Sequence, residues 1–409
     1  MASESEREIR RADHLGKVRY EIRGPLARRA LELEKQGFEV IKLNIGNPAQ
    51  FGFRTPETMR KAVVANLGEA EGYCHQKGIF PAREAVVMET QARGLRGVTV
   101  DDVFMGNGVS ELILMCMEAL LGNGDEVLVP APDYPLWTAS VNITGAKPVH
   151  YPCRPENGFV PDAAEVEALV TDRTRAIVLI NPNNPTGAVY PREVVEALVR
   201  LAEKRGLIVF SDEIYDRILY DGATHVSAAS LCEGTLCATF GGLSKVYRAC
   251  GFRTGWVFFS GKKRHALDYL EGLELLASLR LCSNVPGQWA VQTALGGQQS
   301  ILELTAESGR LGRQRRALLA GIARSEFLDV VKPMGALYAF PSIRKDRIAD
   351  FDDGRFAMEL LERERVLVVP GSSFNVPYKN HLRLTLLPDE DTMTEVFVRI
   401  ERLLSSWAK

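Results

Sequence analysis

The chain has little of what marks several broad protein classes. No run of about 18 apolar residues, the length a helix needs to cross a bilayer, occurs anywhere in its 409 residues. The opening Met-Ala-Ser-Glu-Ser-Glu-Arg-Glu lacks the apolar stretch of a secretory leader, so the expectation is a cytoplasmic protein with no membrane partner. Seven cysteines, at 74, 116, 153, 232, 237, 250 and 282, include no Cys-x-x-Cys pair. That argues against a disulfide framework or a zinc knuckle and leaves reduced packing residues. Six histidines show no ligand spacing, so no metal is expected. With 50 basic against 52 acidic side chains, the net charge of -2 gives no bulk attraction for nucleic acid. Internal repeats and low-complexity tracts are missing too. What remains is small-molecule chemistry on a chain long enough for two or three domains.

Apolar runs alternate with helical patterns from about 101 to 261, as β-α-β units building a mostly parallel sheet would. Ala176-Ile-Val-Leu-Ile180 is continuously apolar, the pattern of a strand covered on both faces. A turn follows, Asn181-Pro-Asn-Asn-Pro-Thr-Gly187, and then a helix from Pro191 to Arg205, stopped by Gly206. The next strand, Leu207 to Phe210, leads into Ser211-Asp212-Glu213, which puts Asp212 at the carboxyl end of a sheet strand, where open α/β sheets bind ligands. A further strand from Leu236 to Phe240 leads to Ser244-Lys245 on a comparable edge. The last hundred residues read as mixed α+β: helices at 311–325, 356–364 and 391–407, and strands at 330–331, 336–340, 366–369 and 381–384. The opening dozen residues read as frayed, with the fold beginning near Lys17.

An isolated lysine is ordinarily a solvated charge. Lys245, however, follows a strand and precedes Arg253 by eight residues in Gly242-Leu-Ser-Lys-Val-Tyr-Arg-Ala-Cys-Gly-Phe-Arg253. That spacing suits a Schiff-base lysine and an arginine gripping a cofactor phosphate. Gly106-Asn-Gly108-Val109-Ser110 opens a helix directly after a strand, so its amides and the helix dipole face one point. The third glycine of a dinucleotide fingerprint is replaced by Glu111, and an ordinary strand-to-helix turn is the plain alternative. Together, Ser110, these amides and the Arg253 fork suit a phosphate monoester.

The combination Asn-Pro-x-Asn-Pro-Thr-Gly at 181–187, Ser-Asp-Glu-x-Tyr at 211–215 and Ser-Lys-x-x-x-x-x-Gly-x-Arg at 244–253 resembles the class I, fold-type I pyridoxal-phosphate aminotransferases, from about Tyr20 to Pro388. Tyr20-Glu-Ile-Arg-Gly-Pro25, Leu43-Asn-Ile-Gly-Asn-Pro48, Gly72-Tyr-Cys74 and Pro130-Ala-Pro-Asp-Tyr-Pro-Leu-Trp137 are similar to the bacterial glutamate–pyruvate (alanine) aminotransferases. The resemblance implies an α/β fold with a large cofactor domain, 49–304, built on a mostly parallel seven-stranded sheet covered by helices. It also implies a smaller α+β domain from both chain ends, 17–48 and 305–409, behind an arm of residues 1–16.

It further implies roles. Lys245 would hold pyridoxal 5′-phosphate and move the substrate proton; Asp212 would pair with the pyridine nitrogen; Tyr215 and Asn184 would hydrogen-bond the ring oxygen. Tyr134, where many relatives carry Trp, would cover the ring face. Gly108, Val109, Ser110 and Arg253 would take the phosphate, joined by Tyr73 reaching across a homodimer; Ser244 is a further candidate, because Gly242 stands where relatives often have a hydroxyl. Arg383, with the Gly46 backbone, would clamp the substrate α-carboxylate. Tyr20 and Arg23, with Lys17 extending them, would fold over the site, Arg23 meeting the distal carboxylate of glutamate. The implied reaction is ping-pong transfer of the amino group between L-alanine and 2-oxoglutarate. Valine, 2-aminobutyrate or another small amino acid is an alternative substrate. A β-lyase or a cyclopropane-forming synthase on the same scaffold, and a non-catalytic cofactor-fold regulator, are rival readings.

Overall fold

A computed structural model describes residues 8–18 and 24–408. Its centre is a seven-stranded sheet of β1 (Val103–Gly106), β2 (Glu126–Ala131), β3 (Lys147–Pro152), β4 (Thr174–Ile180), β5 (Ile208–Asp212), β6 (Leu236–Gly242) and β7 (Gly255–Gly261), in the order β1-β7-β6-β5-β4-β2-β3. Only β7 runs against its neighbours. β4 accounts for the continuous apolar run: Ile177 and Leu179 enter one core, while Ala176, Val178 and Ile180 enter the other. Helices Phe80–Ala92 and Arg192–Arg205 cover the first face, and Val109–Leu120, Pro135–Ile143 and Leu267–Leu279 the second. The helix after β4 starts one residue past Pro191 and ends on Gly206 in the left-handed region (φ 66°) with Lys204 and Arg205 in its last turn, the ending its sequence predicts.

The chain ends meet. Strand Ile41–Lys42 pairs in parallel with Val366–Leu367, and helix Pro25–Lys35 lays Ala30 and Leu33 against Leu361 and Leu367. Strands Tyr338–Ala339 and Val369–Pro370 flank Leu382–Thr385 antiparallel on either side. Helices Arg310–Arg324, Asp353–Glu364 and Glu390–Trp407 complete this layer. The last buries Met393, Val396, Phe397, Ile400, Leu403 and Leu404 on one face and is capped by Asp389, whose side chain accepts from the Thr392 amide at 2.8 Å.

Several boundaries differ from the sequence reading: β4 begins at Thr174, β5 runs on to Asp212, and the helix expected at 356–364 begins at Asp353. The strand expected at 330–331 lies at Leu328–Asp329, because Leu328 is the residue that pairs with Ile343. The arm of residues 1–16 ends in a 3-10 turn at Asp13–Lys17, just past the dozen residues read as frayed, and this turn lies against helix Pro135–Ile143. No helix among the described residues is long and apolar enough to cross a membrane.

Candidate functional site

The carboxyl ends of β1, β4, β5 and β6 open on one side of the sheet and carry the chemistry-bearing residues. Asp212 ends β5, 3 % exposed. Its Oδ2 accepts the Trp137 indole N–H at 3.1 Å and its Oδ1 the Ile214 amide at 3.3 Å. Trp137 is itself wedged between Phe240, edge-on at 5.4 Å, and Phe210 at 6.0 Å. Burial pushes the Asp212 carboxyl up to about 6 despite these bonds and the nearby charge of Lys245.

Lys245 follows β6, and its Nζ donates to the Gly46 carbonyl at 2.7 Å. At Gly46 a Cβ would collide with the Tyr338 hydroxyl, so only glycine brings that carbonyl this close. The Tyr338 hydroxyl accepts from Tyr215 at 3.1 Å, with the two rings edge to face. Burial, then Tyr338, push the Tyr215 phenol well above its ordinary value. Burial also opposes ionisation of Tyr338, but Lys245, Arg383 and the bond from Tyr215 outweigh it and lower that phenol.

Arg383, 1 % exposed, lies beyond Tyr338, whose ring centroid is 4.5 Å from the guanidinium carbon. Nη1 donates to Asn184 Oδ1 at 3.2 Å, Nη2 donates to the Asn44 carbonyl, and Nε is buried with no partner among the described residues. At the other end of the site, Gly108 caps helix Val109–Leu120 with φ 81°, a backbone that favours glycine. A Cβ there would strike the Arg253 guanidinium. Arg253 is fixed by bonds from Nη1 to the Cys250 carbonyl (3.0 Å) and from Nη2 to the Asn107 carbonyl (2.9 Å). Glu111, the residue that spoils the dinucleotide pattern, accepts from the Asn107 amide at 2.7 Å and from Arg280 at 2.5 Å, and so anchors the cradle from behind.

The structure therefore gathers Lys245, Asp212, Tyr215, Asn184, Gly46 and Arg383 into one cluster, with Arg253, Gly108, Val109 and half-buried Ser110 beside it. Tyr134 opens helix Pro135–Ile143 and packs against both cores. Ser244 is half-buried, and its carbonyl accepts the Cys250 thiol at 2.9 Å. At Gly242 a Cβ would lie 3.1 Å from Ile214 and 3.2 Å from the β7 backbone, which is why no hydroxyl-bearing side chain fits there unshifted. Tyr73 is 82 % exposed, apart from the cluster. Tyr20 and Arg23 lie outside the described residues. Sequence reasoning missed Tyr338, Trp137 and Asn44. Trp137 and Asn44 left a trace, standing in the quoted 130–137 and 43–48 runs, whereas Tyr338 left none.

A family model described as aminotransferase class I and II matches residues 39–400. The chain is 50% identical over 399 residues to the glutamate-pyruvate aminotransferase AlaA of Escherichia coli, covering 98% of each. It is 48% identical over 391 residues to the alanine aminotransferase of Mycobacterium tuberculosis, covering 95% of this chain and 91% of that one. A crystal structure of an aminotransferase from Escherichia coli matches with a TM-score of 0.96 and 49% identity, over 98% of this chain and all of the other.

Proposed function

We propose, for a chain that belongs to the class I and II aminotransferases, that it moves the amino group between L-alanine and 2-oxoglutarate, giving pyruvate and L-glutamate in two ping-pong half-reactions. The observation that carries this reading is one line of contacts, from the Lys245 amine through Gly46 and Tyr338 to the Arg383 fork. It sets a proton-moving amine beside a carboxylate grip. Relatives named for alanine and for glutamate–pyruvate transfer supply the substrate pair.

The family's cofactor, pyridoxal 5′-phosphate, supplies when bound the electron sink that lets the substrate Cα proton leave. The residues fit it. Among the described residues, Arg383 has a buried Nε with no partner and Asp212 is a buried acid bonded by neutral donors, while the Gly108 cradle is too tight for a Cβ. Arg253, Ser110 and the amides of the Val109–Leu120 helix start would hold the phosphate, and Asp212 the pyridine nitrogen. Tyr134 would cover the ring and Asn184 with Tyr215 would bond its oxygen; Ser244 is the remaining candidate contact. In the reaction, Arg383 takes the α-carboxylate in its fork beside the Gly46 backbone. Lys245 Nζ, released from the Gly46 carbonyl, takes the proton from Cα and returns it on the far side of the transfer. Segments 17–48 and 305–409 form the domain that closes over 49–304 and keeps water out.

A second copy completes the site. Tyr73 (82 % exposed), Leu279 (73 %), Leu275 (61 %) and Leu281 (52 %) are apolar residues left at the surface. The Tyr73 loop is held beside helix Leu267–Leu279 by the Gln76–Glu274 hydrogen bond at 2.8 Å. A homodimer burying this face would bring Tyr73 to its partner's phosphate site. Seven unpaired cysteines support a reducing, cytoplasmic setting.

The purified protein with pyridoxal phosphate is expected to form no more than one pyruvate per active site from L-alanine alone and to turn over only when 2-oxoglutarate is present; no turnover of that pair, with catalytic release of pyruvate, ammonia and sulfide from L-cysteine in the absence of an oxo acid, would establish a lyase instead. Arg23→Ala is expected to raise KM for glutamate far more than for alanine, and an equal rise would remove Arg23 from distal-carboxylate recognition.

A further inference from the structure

The residue before Tyr134 reaches across to the turn that backs Arg383. Asp133 is fully buried. Its Oδ1 accepts from Asn375 Nδ2 at 2.8 Å and its Oδ2 from the Thr138 hydroxyl at 2.6 Å, while its amide donates to the Phe374 carbonyl at 3.3 Å. Thr138 also meets His150 Nε2 at 2.8 Å; with the hydroxyl proton given to Asp133, the imidazole donates in that bond. On the other side, Phe374 places its ring centroid 5.0 Å from the Arg383 guanidinium carbon and meets Phe340 edge-on at 5.7 Å. A buried carboxyl is costly, and burial lifts this one to about 7 although both hydrogen-bond donors favour the charged form. Packing alone gives no reason for an acid here. The two segments it joins are the Tyr134 loop and the Phe374–Asn375 turn, 242 residues apart in sequence.

We propose that Asp133 is a positioning residue: through Asn375 and Phe374 it fixes the Arg383 fork relative to the Tyr134 ring, so that the grip on the substrate carboxylate and the cover of the cofactor ring keep one register. This rests on the roles given to Tyr134 and Arg383 above. The bond runs between the two segments assigned to different domains, so it sets where they meet rather than the shape of either.

The pair can be reversed. Asn375→Asp sets two carboxylates together at hydrogen-bond distance. In the double variant Asp133→Asn/Asn375→Asp, the new amide at 133 accepts from Thr138 and donates to the new carboxylate at 375, which restores every bond. In the holoenzyme, Asn375→Asp is expected to raise KM for both L-alanine and L-glutamate by about tenfold or more, the scale of a lost hydrogen bond to a charged group, with a smaller fall in kcat. The double variant should return to within about threefold of wild type. Hydrogen exchange of amides 371–376 should be faster in Asn375→Asp and recover in the double variant. Unchanged KM values in Asn375→Asp, or a double variant as impaired as the single one, would overturn the proposal, as would unchanged exchange. If wild type transaminates neither amino acid, the functional reading fails on its own, and the exchange pattern still decides whether Asp133 holds the turn.

Discussion

The buried carboxylate at the end of β5 carries a cost that can be measured in the cofactor-free chain. Asp212 is bonded by an indole N–H and one amide, and burial, the largest influence on it, lifts it from 3.8 to about 6. An acid that holds its proton more tightly when folded penalises the fold wherever both states are ionised, here above about pH 6. At 1.36 kcal/mol per tenfold change, the gap between 3.8 and about 6 amounts to about 3 kcal/mol. The penalty lifts as pH falls through 6, is roughly halved at pH 5 and is gone below 3.8. Asp212→Asn removes the charge but keeps an acceptor for Trp137, at about 1 kcal/mol for the Ile214 amide bond. Net stabilisation at pH 8 should therefore be about 2 kcal/mol, or about 2 °C in Tm for a chain of this size. Thermal unfolding of both apoproteins followed by circular dichroism at pH 8 and pH 5 is the assay. The advantage of the variant should shrink by about 1.5 kcal/mol at the lower pH; an advantage equal or larger at pH 5 would refute the reasoning. In the loaded enzyme the same substitution should lower turnover by about a hundredfold, if that 3 kcal/mol is otherwise recovered against a pyridinium.

Three further perturbations follow from the geometry. Arg383→Lys replaces a fork by a point charge that the Asn184 and Asn44 oxygens compete for, so KM for both L-alanine and 2-oxoglutarate should rise about 10- to 100-fold in steady-state kinetics with kcat less affected; an unchanged KM would take the α-carboxylate away from Arg383. Gly46→Ala drives a methyl into the Tyr338 hydroxyl and should lower kcat/KM by more than about tenfold. Adding Tyr338→Phe should recover part of that loss, since the ring carbon behind the hydroxyl would still lie 2.8 Å away, and no recovery would place the damage elsewhere. Leu279→Glu puts a charge on the exposed apolar face and should give monomers in sedimentation with activity lost alongside; a fully active monomer would end the shared-site reading.

How legible each part was depended on whether its determinants are local. β4 could be read because both its faces are covered, which forces consecutive apolar residues; its start at Thr174 could not, because Arg175 points to solvent. Gly206 marked a helix end by backbone conformation alone. The two-residue strands near the C-terminus have no period to detect, and partners far away in sequence set their limits, as Ile343 does for Leu328. The site divides the same way. Lys245, Asp212 and Arg253 were readable because they sit at fixed offsets from strand ends. Tyr338 was not: it meets Tyr215 from 123 residues away, and nothing in Gly-Ala-Leu-Tyr-Ala-Phe separates it from an ordinary core aromatic. Asp133 stood in plain view beside Tyr134, yet its meaning depends on Asn375.

Lys245, Arg253 and Arg383 share a feature that no single one of them reveals. Their hydrogen bonds go to uncharged oxygens: the Gly46 carbonyl for the lysine, the Cys250 and Asn107 carbonyls for Arg253, the Asn44 carbonyl and the Asn184 amide for Arg383. Many arginines away from the site meet carboxylates, as Arg93 does with Asp216 at 2.7 Å and Arg315 with Asp221 at 2.7 Å, although Arg248 and Arg310 are also held by carbonyls. A carbonyl holds a cation in place without cancelling its charge, whereas a carboxylate does both. The arrangement thus fixes the geometry of the site in advance and leaves its field for anions, one at the helix cradle and one at the buried fork. Asp212 is the mirror case, an acid held by N–H donors at the strand end between them. With Arg383 as the proposed carboxylate grip, a site that must release one oxo acid and admit another needs this economy of pairing: any carboxylate of the chain's own on Arg383 would compete with every substrate in turn, while the amide of Asn184 gives way at the cost of one hydrogen bond to an uncharged oxygen.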